Sequence, residues 1–408
     1  MANSKEILGA AKAAKKNEFY TQLTDIEKEV RHYKKHFKGK VVLCNCDDPF
    51  ESNFFKYFVL NFNKLGLKKL IATCYYTSPI RGKQFDYTVD TNGQMSFFIE
   101  SNQPTDLLED MTVGTSKKPY KAVVTTVYDK TGDGGLDMFD VAKLFESGEN
   151  TLEELNGDGD FRSDECINIL KEADIIVTNP PFALFREYIS TLIKHDKKFL
   201  IIGNQNAISY KEVFPYLMNN EVWLGYGFQG NVGFFISPYE DTAVSSQHKE
   251  GLIRVSGVMW FTNMDIKKRH EEFIYTRFYK GHEHEYEKYD NYDAIEVSKT
   301  ECIPGDYEGI MGVPITFLDK YNPEQFEIVG ATQSWDNNRV KTYPRQIQVD
   351  KNGKKSVVTK LNDGPAILTN ETPVGKTYYI VDGNLYIKKF ARILIRNKRP
   401  EKPLEVNI

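Results

Sequence analysis

Short apolar runs rich in β-branched residues alternate with helical patterns over the first two thirds of this 408-residue chain. These runs predict buried strands at 40–46, 69–75, 122–128, 174–178 and 198–203. The spacing of apolar residues between them predicts helices at 54–65, 136–146 and 182–194. Because parallel strands are joined by crossovers that are usually helices, the alternation predicts an α/β fold of parallel βαβ units in a doubly wound sheet.

Three stretches interrupt this alternation. Alternating apolar residues around Asn92-Gly93 predict a hairpin insertion at about 81–102. The segment 221–262 predicts antiparallel strands with a loop at 237–251. The segment 265–277 has a helical pattern and predicts a helix.

The last third of the chain has a different character. It lacks long helical periods and has hairpin signals at Asn352-Gly353 and Asp382-Gly383. The acidic, tyrosine-rich stretch 281–293 predicts a solvated loop more readily than a metal site, although it contains His282 and His284. We therefore predict two domains, 1–265 and 266–408, of which the second is smaller, mixed and strand-rich.

Charge is distributed unevenly along the chain. The formal net charge is -4, yet residues 331–408 contain 15 Lys and Arg against 7 Asp and Glu, whereas the rest contains 38 and 50. A basic C-terminal module on an acidic body fits binding to duplex DNA, although a solvated, charged C-terminus explains this feature equally well.

The remaining bulk features concern compartment and membranes. Five cysteines at irregular spacing predict free thiols in a reducing compartment, and they predict no metal site. No run of 18 apolar residues occurs, and the first 16 residues have no apolar core of signal-peptide length, so we expect no membrane span and a cytoplasmic location.

The most informative motif is Asn179-Pro180-Pro181-Phe182, which follows a predicted buried strand and precedes a predicted helix. A pattern of Asp, Asn or Ser, two prolines and an aromatic residue is typical of amino-methyltransferases. The alternative is a proline-rich turn with proline at the first helical position.

The residue types suit the chemistry of a planar amine. Such an amine is a poor nucleophile because its lone pair is delocalised into the ring, and two fixed acceptors favour its pyramidal transition state. The Asn179 side-chain oxygen and the Pro180 carbonyl can be those acceptors, and proline restricts the backbone. Phe182 offers a face on which a flipped base can stack.

Three further segments suit an adenosine-containing cofactor. Asp160 can accept from an adenine amine while Phe161 packs on the ring, although an Asx-Gly turn is a common alternative. The segment 47–50 follows the first strand, and its aspartates are equally suited to capping the next helix. Thr21 lies just ahead of a predicted helix, where its hydroxyl and free backbone N–H groups can bind the carboxylate of a cofactor. Capping of that helix by Thr21 is an equally good explanation.

With these segments in order, the chain resembles the EcoRI-type adenine-specific DNA methyltransferases. The resemblance is carried by NEFYTQ at 17–22, CDDPF at 46–50, GDGDFRSDE at 157–165, ADIIVTNPPF at 173–182 and GVPITFLDKYNPEQFEIVG at 312–330. IIGNQN at 201–206 and VWLGY at 222–226 extend it over about residues 15–330. The cofactor segments come before the NPPF motif, and the recognition region comes last. This order resembles that of the gamma class of amino-methyltransferases.

The resemblance implies a Rossmann-like domain, S-adenosylmethionine as cofactor, base flipping and a C-terminal target recognition region on duplex DNA. It implies catalytic or base-stacking roles for the NPPF residues. The residues expected to bind the cofactor are Tyr20, Thr21, Asn45, Asp47, Asp48, Pro49, Phe50, Asp160, Phe161 and Asn179. Two departures concern the cofactor: Glu51-Ser52-Asn53 replaces the usual glycines, and the second strand lacks the acidic residue that often binds the ribose.

DNA contacts are expected in the basic C-terminal region. The candidates for base reading are Gln333, Asn337, Asn338, Arg339, Lys341 and Arg345, whereas the later cations more readily meet phosphates. The positions that we predict to bind DNA are Arg339, Lys341, Arg345, Lys388, Lys389, Arg392 and Arg396. We expect a monomer, with a restriction endonuclease as a possible companion.

Other interpretations of the motif remain open. The same tetrapeptide chemistry can serve the cytosine amine, an RNA adenine or a glutamine amide in protein. Phe182 and the basic C-terminal region favour DNA adenine. A rival of another class is a non-catalytic DNA-binding module on a methyltransferase fold, against which the intact NPPF motif argues.

Overall fold

The computed structural model describes residues 20–46, 52–74, 88–89, 95–96, 119–236 and 252–401. Contacts divide the chain into two compact units. The first unit consists of Met1–Gln205 and Leu224–Met264, and the second of Asn206–Trp223 and Asp265–Ile408.

An eight-stranded sheet dominates the first unit and has the strand order β10-β13-β9-β8-β2-β3-β6-β7. The strands up to residue 262 are β1 Tyr20–Thr21, β2 Val41–Asn45, β3 Lys69–Thr73, β4 Thr88–Val89, β5 Met95–Ser96, β6 Tyr120–Val124, β7 Thr151–Glu154, β8 Ile175–Thr178, β9 Lys198–Asn204, β10 Trp223–Leu224, β11 Val232–Ile236, β12 Leu252–Ser256 and β13 Val258–Thr262.

Four neighbouring strands in the middle of this sheet are parallel. β2 pairs in parallel with β3 and β8, and β8 pairs in parallel with β9. Every residue of β2 and β8 is buried, as expected for strands covered on both faces. The apolar runs in the sequence therefore predicted these four strands correctly.

The strand predicted at 122–128 runs in the opposite direction to that expected. β6 pairs antiparallel with β3, β7 pairs antiparallel with β6, and β13 pairs antiparallel with β9, so the sheet is mixed. β6 alternates between buried and half-buried residues, the pattern of a strand with one covered face. The predicted run 122–128 leaves out Tyr120 and the half-buried Lys121, with which this alternation begins, and for this reason a parallel strand was predicted.

Helices in the first unit connect or flank these strands. They are α1 Leu23–Val30, α2 Lys34–Phe37, α3 Asn53–Leu60, α4 Phe62–Leu65, α5 Met138–Glu146, α6 Asp164–Glu172 and α7 Phe185–Lys194. Side chains cap several of them: Ser52 accepts from Phe54 N at the start of α3, and Ser163 accepts from Cys166 N at the start of α6. Asp137 and Asp140 form a reciprocal capping box on α5.

Two smaller sheets complete the first unit. β1, β11 and β12 form an antiparallel three-stranded sheet. β4 and β5 form an antiparallel pair within the stretch 81–102, where the sequence predicts a hairpin insertion. Its turn at Asn92-Gly93 and the predicted loop at 237–251 lie outside the described residues.

The second unit contains a four-stranded sheet, β14-β15-β22-β16, and a five-stranded antiparallel sheet, β18-β17-β20-β21-β19. Its strands are β14 Ile295–Glu296, β15 Ile310–Val313, β16 Phe326–Ala331, β17 Gln346–Val349, β18 Lys355–Val358, β19 Ala366–Thr369, β20 Tyr378–Val381, β21 Asn384–Lys388 and β22 Ile393–Asn397, and its α-helix is α8 Phe214–Met218.

Both hairpins predicted from turn residues are present in the second unit. β17 and β18 pair around a turn that contains Gly353, and β20 and β21 pair around Asp382-Gly383. Asp382 and Gly383 have φ angles of 48° and 81°, the positive values that a two-residue type I′ turn requires.

The helix predicted at 265–277 is absent, and only a 3-10 turn, Lys267–His270, forms there. Beyond that turn residues 271–276 form neither helix nor strand, and distant side chains bind their backbone. Gln325 accepts from Phe273 N at 2.5 Å and donates to Phe273 O at 3.2 Å, while Asn322 donates to Glu271 O. These tertiary hydrogen bonds outweigh the weak local helical preference.

The stretch 281–293 is exposed at residues 281–285, 287 and 288, as the predicted solvated loop requires, but three buried tyrosines anchor it. Tyr286, Tyr289 and Tyr292 recur at every third position and are all buried, whereas the acidic residues Glu283 and Glu285 are exposed. Tyr289 and Tyr292 belong to a hydrophobic cluster with residues of β19 and β22. The charged residues concealed this three-residue period in the composition.

Candidate active site

The Asn-Pro-Pro-Phe loop lies directly after β8, and Phe182 begins the short 3-10 turn that leads into α7. Pro180 is buried, while Asn179, Pro181 and Phe182 are half-buried. Leu184 N donates to Pro181 O at 2.9 Å, which fixes the turn. The loop is therefore at the carboxyl end of a parallel strand, where open α/β sheets bind their ligands.

Asn45, the last residue of β2, connects this loop to the neighbouring strand. The Thr178 hydroxyl donates to Asn45 O, and the Tyr188 hydroxyl of α7 donates to Asn45 Oδ1. Asn45, Thr178 and Tyr188 are all buried. The ends of β2, β8 and α7 are thus held together by polar contacts beside the loop. Tyr188 was not predicted, since its place on a helix gave no sign of this contact.

The acidic loop around Phe161 lies against the same group. The Phe161 ring packs edge-on against the Tyr188 ring, with the two centroids 5.0 Å apart. Gly159 has a φ of 77°, and a Cβ atom there would lie 2.2 Å from the Cys74 carbonyl oxygen. Only glycine permits this approach, which brings the loop to the residue that directly follows β3.

Asp160 of this loop is bound by Arg162. Its Oδ1 accepts from Arg162 N at 2.9 Å and from Arg162 Nε at 2.8 Å, and its Oδ2 accepts from an Arg162 terminal nitrogen at 2.5 Å. These hydrogen bonds hold the pKa of Asp160 below its ordinary value. A carboxylate oxygen can accept two hydrogen bonds, so Oδ2 keeps capacity for another donor.

Thr21 on β1 is buried and lies near the start of α3, the helix that follows β2. Its carbonyl oxygen accepts from Asn53 Nδ2 at 2.8 Å, and its register partner is Phe235 of β11. Within the described part of the chain its hydroxyl has no hydrogen-bond partner. Tyr20 precedes it in β1, while Asp47, Asp48, Pro49 and Phe50 lie outside the described residues.

Glu29 of α1, 1% exposed, fixes a turn of the first unit and was not predicted from the sequence. Its carboxylate accepts from the Tyr33 hydroxyl at 2.8 Å and from Tyr226 N and Gly227 N at 2.8 and 2.9 Å. Burial, and then the Glu29 charge, raise the pKa of Tyr33 well above its ordinary value. The i, i+4 spacing of Glu29 and Tyr33 was the available signal.

The predicted DNA-binding residues all belong to the second unit but differ in environment. The guanidinium of Arg392 is enclosed, with its side chain 11% exposed, and it binds Glu296 through two hydrogen bonds of 3.1 and 2.5 Å. The Tyr289 hydroxyl also donates to Glu296. Arg392 therefore contributes to the interior of the second unit.

The other cations are nearer to solvent. Lys341, Lys389 and Arg396 each form an ion pair with one carboxylate, of Asp290, Glu287 and Glu327, at 2.5, 2.9 and 3.2 Å. Arg339 donates to the Ser334 carbonyl at 3.0 Å, and burial lowers the pKa of Lys388. Arg345 is exposed. Exposed ion pairs contribute little free energy and leave the cation accessible to a competing phosphate.

Metal-binding clusters and membrane-spanning helices are absent from the described residues. Among them no group of three or more His, Cys, Asp or Glu side chains is arranged to hold a metal ion. His282 instead contacts Glu285 Oε1 at 3.0 Å. No helix in the described ranges combines the length and the apolar character needed to cross a bilayer.

A mixed α/β sheet with an Asn-Pro-Pro-Phe loop at the carboxyl end of a parallel strand defines the class of amino-methyltransferases. The family model described as adenine-specific methyltransferase EcoRI matches residues 7–398. The chain belongs to this family. No solved structure matches the chain significantly.

Curated relatives agree with the family. The chain is 45% identical over 329 residues to the Type II methyltransferase M.EcoRI of Escherichia coli, a match that covers 79% of this chain and 88% of the relative. It is 36% identical over 326 residues to M.MgeORF184P of Mycoplasma genitalium, covering 78% and 84% of the two chains. It is also 36% identical to M.MpnI of Mycoplasma pneumoniae, covering 78% and 83%.

Proposed function

We propose that this chain transfers a methyl group from S-adenosylmethionine to the N6 amine of an adenine that is flipped out of duplex DNA. The observation that carries the proposal is the position of the Asn179–Phe182 loop at the carboxyl end of β8, in a chain of an adenine-specific methyltransferase family. Contacts of Asn45 with Thr178 and Tyr188 hold the strands beside this loop in place.

The proposed roles of the loop residues follow from the chemistry of the amine. The Asn179 side-chain oxygen and the Pro180 carbonyl accept hydrogen bonds from the two amine N–H groups, which favours the pyramidal geometry in which the nitrogen lone pair is available. Pro181 restricts the backbone of the loop, and Phe182 stacks on the flipped base. As the amine nitrogen would form its bond to the methyl carbon, the carbon–sulfur bond would break and S-adenosylhomocysteine would leave. The amine gains positive charge in this step, neutral acceptors stabilise that charge, and one amine proton is then lost to solvent.

The residues around the loop suit S-adenosylmethionine, which supplies a methyl group on a positively charged sulfur. We assign Phe161 and Asp160 to the adenine ring and its amine, because Asp160 Oδ2 retains acceptor capacity. Thr21, whose buried hydroxyl has no partner in the described part, is assigned to the carboxylate. Asn45 and the neighbouring Asp47, Asp48, Pro49 and Phe50, with Tyr20, complete the assignment.

We further infer a Rossmann-like catalytic domain that lies within 1–265 and a target recognition region at 266–408. We assign Asn206–Trp223 to the target recognition region and not to the catalytic domain, because Trp335 Nε1 donates to Ser209 O at 3.2 Å and the Trp335 ring packs on Phe214. We assign DNA phosphates to Arg339, Lys341, Arg345, Lys388, Lys389 and Arg396, and we assign Arg392 to the ion pair with Glu296 inside the second unit.

The setting of the reaction is part of the same proposal. We infer a monomer that acts on double-stranded DNA in the cytoplasm. Because the relatives are Type II methyltransferases of restriction-modification systems, we also propose that a restriction endonuclease of the same sequence specificity accompanies this chain.

A methyl-transfer assay tests the reaction. The full-length chain is incubated with methyl-labelled S-adenosylmethionine and duplex DNA, RNA or protein, and we expect label in duplex DNA. Asn179→Ala removes one acceptor and should lower turnover by roughly two orders of magnitude or more. Label in RNA or protein and not in DNA, or near-native turnover by Asn179→Ala, would refute the proposal.

A further inference from the structure

Phe390 is an aromatic side chain in the turn between β21 and β22 and is 86% exposed. Its neighbours Lys389 and Ala391 are half-buried, so this ring alone projects from the turn. One exposed apolar residue is common on protein surfaces and carries no argument by itself. The surroundings of Phe390 are what distinguish it.

The backbone on both sides of Phe390 is fixed. Lys389 N donates to Pro365 O at 2.9 Å. Arg392 N donates to Thr332 Oγ1 at 2.7 Å, and Arg392 O accepts from Thr332 N at 2.9 Å. The buried ion pair of Arg392 with Glu296 anchors the end of the turn. The ring is thus presented on a rigid support, which lowers the entropic cost of inserting it into a partner.

The contact with Thr332 joins this turn to a second loop, residues 332–341. That loop is itself fixed, because Asp336 accepts from Ala331 N at 2.6 Å and Val340 N donates to Asn291 O at 3.0 Å. It exposes Asn337 and Val340, the latter 68% exposed. The two loops together, residues 332–341 and 388–392, are called the paired-loop surface.

The chemistry of the paired-loop surface suits duplex DNA. Lys341, Lys388 and Lys389 lie on it and can meet phosphates, and the acids that face two of them, Asp290 and Glu287, form exposed pairs of the weak kind. The amide of Asn337 can contact base edges. A protein partner would be expected to require a contiguous apolar patch, whereas here two separate apolar side chains stand among amides and cations.

We propose that Phe390 acts as a wedge that enters the base stack of bound duplex DNA. Apolar side chains inserted between base pairs unstack one step and kink the duplex, and the flat face of a phenylalanine replaces part of the lost stacking. The inference rests on the proposed function, since it requires a duplex as the partner, and it adds a DNA-distorting residue to the phosphate contacts.

The test compares the full-length wild-type chain with Phe390→Ala, Phe390→Trp and Val374→Ala on a duplex that contains a methylated site mapped by sequencing. Val374 is a matched control because it is 93% exposed and also lies in a turn of the second unit. Loss of one base–aromatic stack should raise the Kd of Phe390→Ala for DNA about five- to 150-fold. Phe390→Trp and Val374→Ala should stay within about twofold of wild type.

Two further readouts separate a wedge from a merely structural role. In the first readout, energy transfer between dyes at the two ends of the duplex should increase when the wild-type chain binds and kinks the DNA. This increase should be absent with Phe390→Ala. In the second readout, the fluorescent base 2-aminopurine replaces each position of the site in turn. With the wild-type chain its fluorescence should increase at the target adenine and at one further position, where the base is unstacked. With Phe390→Ala only the increase at that further position should disappear.

Two results would overturn the inference in distinguishable ways. If Phe390→Ala binds, kinks and unstacks DNA as wild type does, the wedge is wrong while the proposed methylation stands; this is also what a protein-binding role of the ring would give. If the wild-type chain binds no duplex, both the wedge and the proposed function are wrong.

Discussion

At the scale of single residues, Tyr188 contributes to the candidate site in two ways. Its hydroxyl donates to Asn45 Oδ1 at the end of β2, and its ring packs against Phe161 of the acidic loop. Asn45 and Phe161 are both assigned to the cofactor, so one side chain of α7 positions two of its proposed contacts. The NPPF loop just precedes α7, and Tyr188 therefore links the base site to the cofactor site.

Tyr188→Phe tests this link. The substitution keeps the ring but leaves the buried Asn45 oxygen without its donor, which costs about 1–3 kcal/mol. We expect a several-fold weaker Kd for S-adenosylmethionine by calorimetry, with a smaller effect on kcat at saturating cofactor. Tyr57→Phe is the control, since that buried tyrosine of α3 has no hydroxyl hydrogen bond among the described contacts. Equal Kd values for both variants would exclude the positioning role of Tyr188.

Residue types could be predicted better than residue partners. Asn179, Phe161 and Thr21 were proposed as site residues because each belongs to a short motif of characteristic residue types. Tyr188 and Glu29 were missed because each acts through residues far away in the chain, 143 positions from Asn45 and 197 from Tyr226. Such contacts depend on the sheet topology, which local patterns do not specify.

At the scale of elements, the acidic loop depends on one glycine. Gly159 combines a φ of 77° with a close approach to the Cys74 carbonyl. A side chain there would push the loop, with Asp160 and Phe161, away from the end of β3.

Gly159→Ala should therefore weaken cofactor binding by about tenfold or more and lower the free energy of unfolding, because alanine is strained at positive φ and would clash with backbone. Gly132→Ala is the matched control, since Gly132 has a φ of 80° and no atom lies within 4 Å of the position that its Cβ would take. It carries the same backbone strain without the clash. Thermal unfolding with and without S-adenosylmethionine measures both effects, and equal cofactor affinity in the two variants would contradict the role given to the loop.

Arg392, in the turn before β22, and Arg396, within β22, are expected to differ in role: the first stabilises the fold and the second is available to DNA. Arg392 is enclosed with Glu296, whereas Arg396 forms an exposed pair with Glu327. Removing one partner of a buried ion pair costs about 3–5 kcal/mol, while an exposed pair contributes about 1 kcal/mol or less. Denaturant unfolding should show Arg392→Ala strongly destabilised and Arg396→Ala nearly unchanged; equal losses would mean that Arg392 is not structural.

Element directions were harder to predict than element positions. The strands at 41–45, 69–73, 175–178 and 198–204 coincide with their apolar runs. The residue types of β6, by contrast, did not indicate that this strand runs antiparallel to β3. The helix expected at 265–277 does not form, because Gln325 and Asn322 bind backbone groups of this segment. In both cases distant neighbours decide the structure.

At the scale of the whole molecule, the uneven charge along the chain has a measurable consequence. The second unit contains the proposed phosphate contacts, among which Arg345 is exposed. The chain as a whole has a net charge of -4, so binding to DNA has to depend on local cations.

Binding to duplex DNA should therefore weaken as salt rises, in a linear relation between the logarithms of affinity and salt concentration. Arg345→Gln should reduce the slope of that relation by about one, the effect of one lost phosphate contact. Lys280→Gln removes an exposed cation from the acidic stretch of the same unit and should leave the slope unchanged. A slope unaffected by Arg345→Gln would remove that residue from the interface.

The most direct measurement of the central claim is the modification itself. The chain is expressed in a host that lacks other DNA methyltransferases, and its plasmid is sequenced by a method that distinguishes N6-methyladenine from N4-methylcytosine. Methylation of the adenine N6 at one recurring sequence, absent with Asn179→Ala, is the result expected here. An unmodified plasmid in cells that contain the folded protein, or methyl groups on cytosine N4 alone, would contradict it.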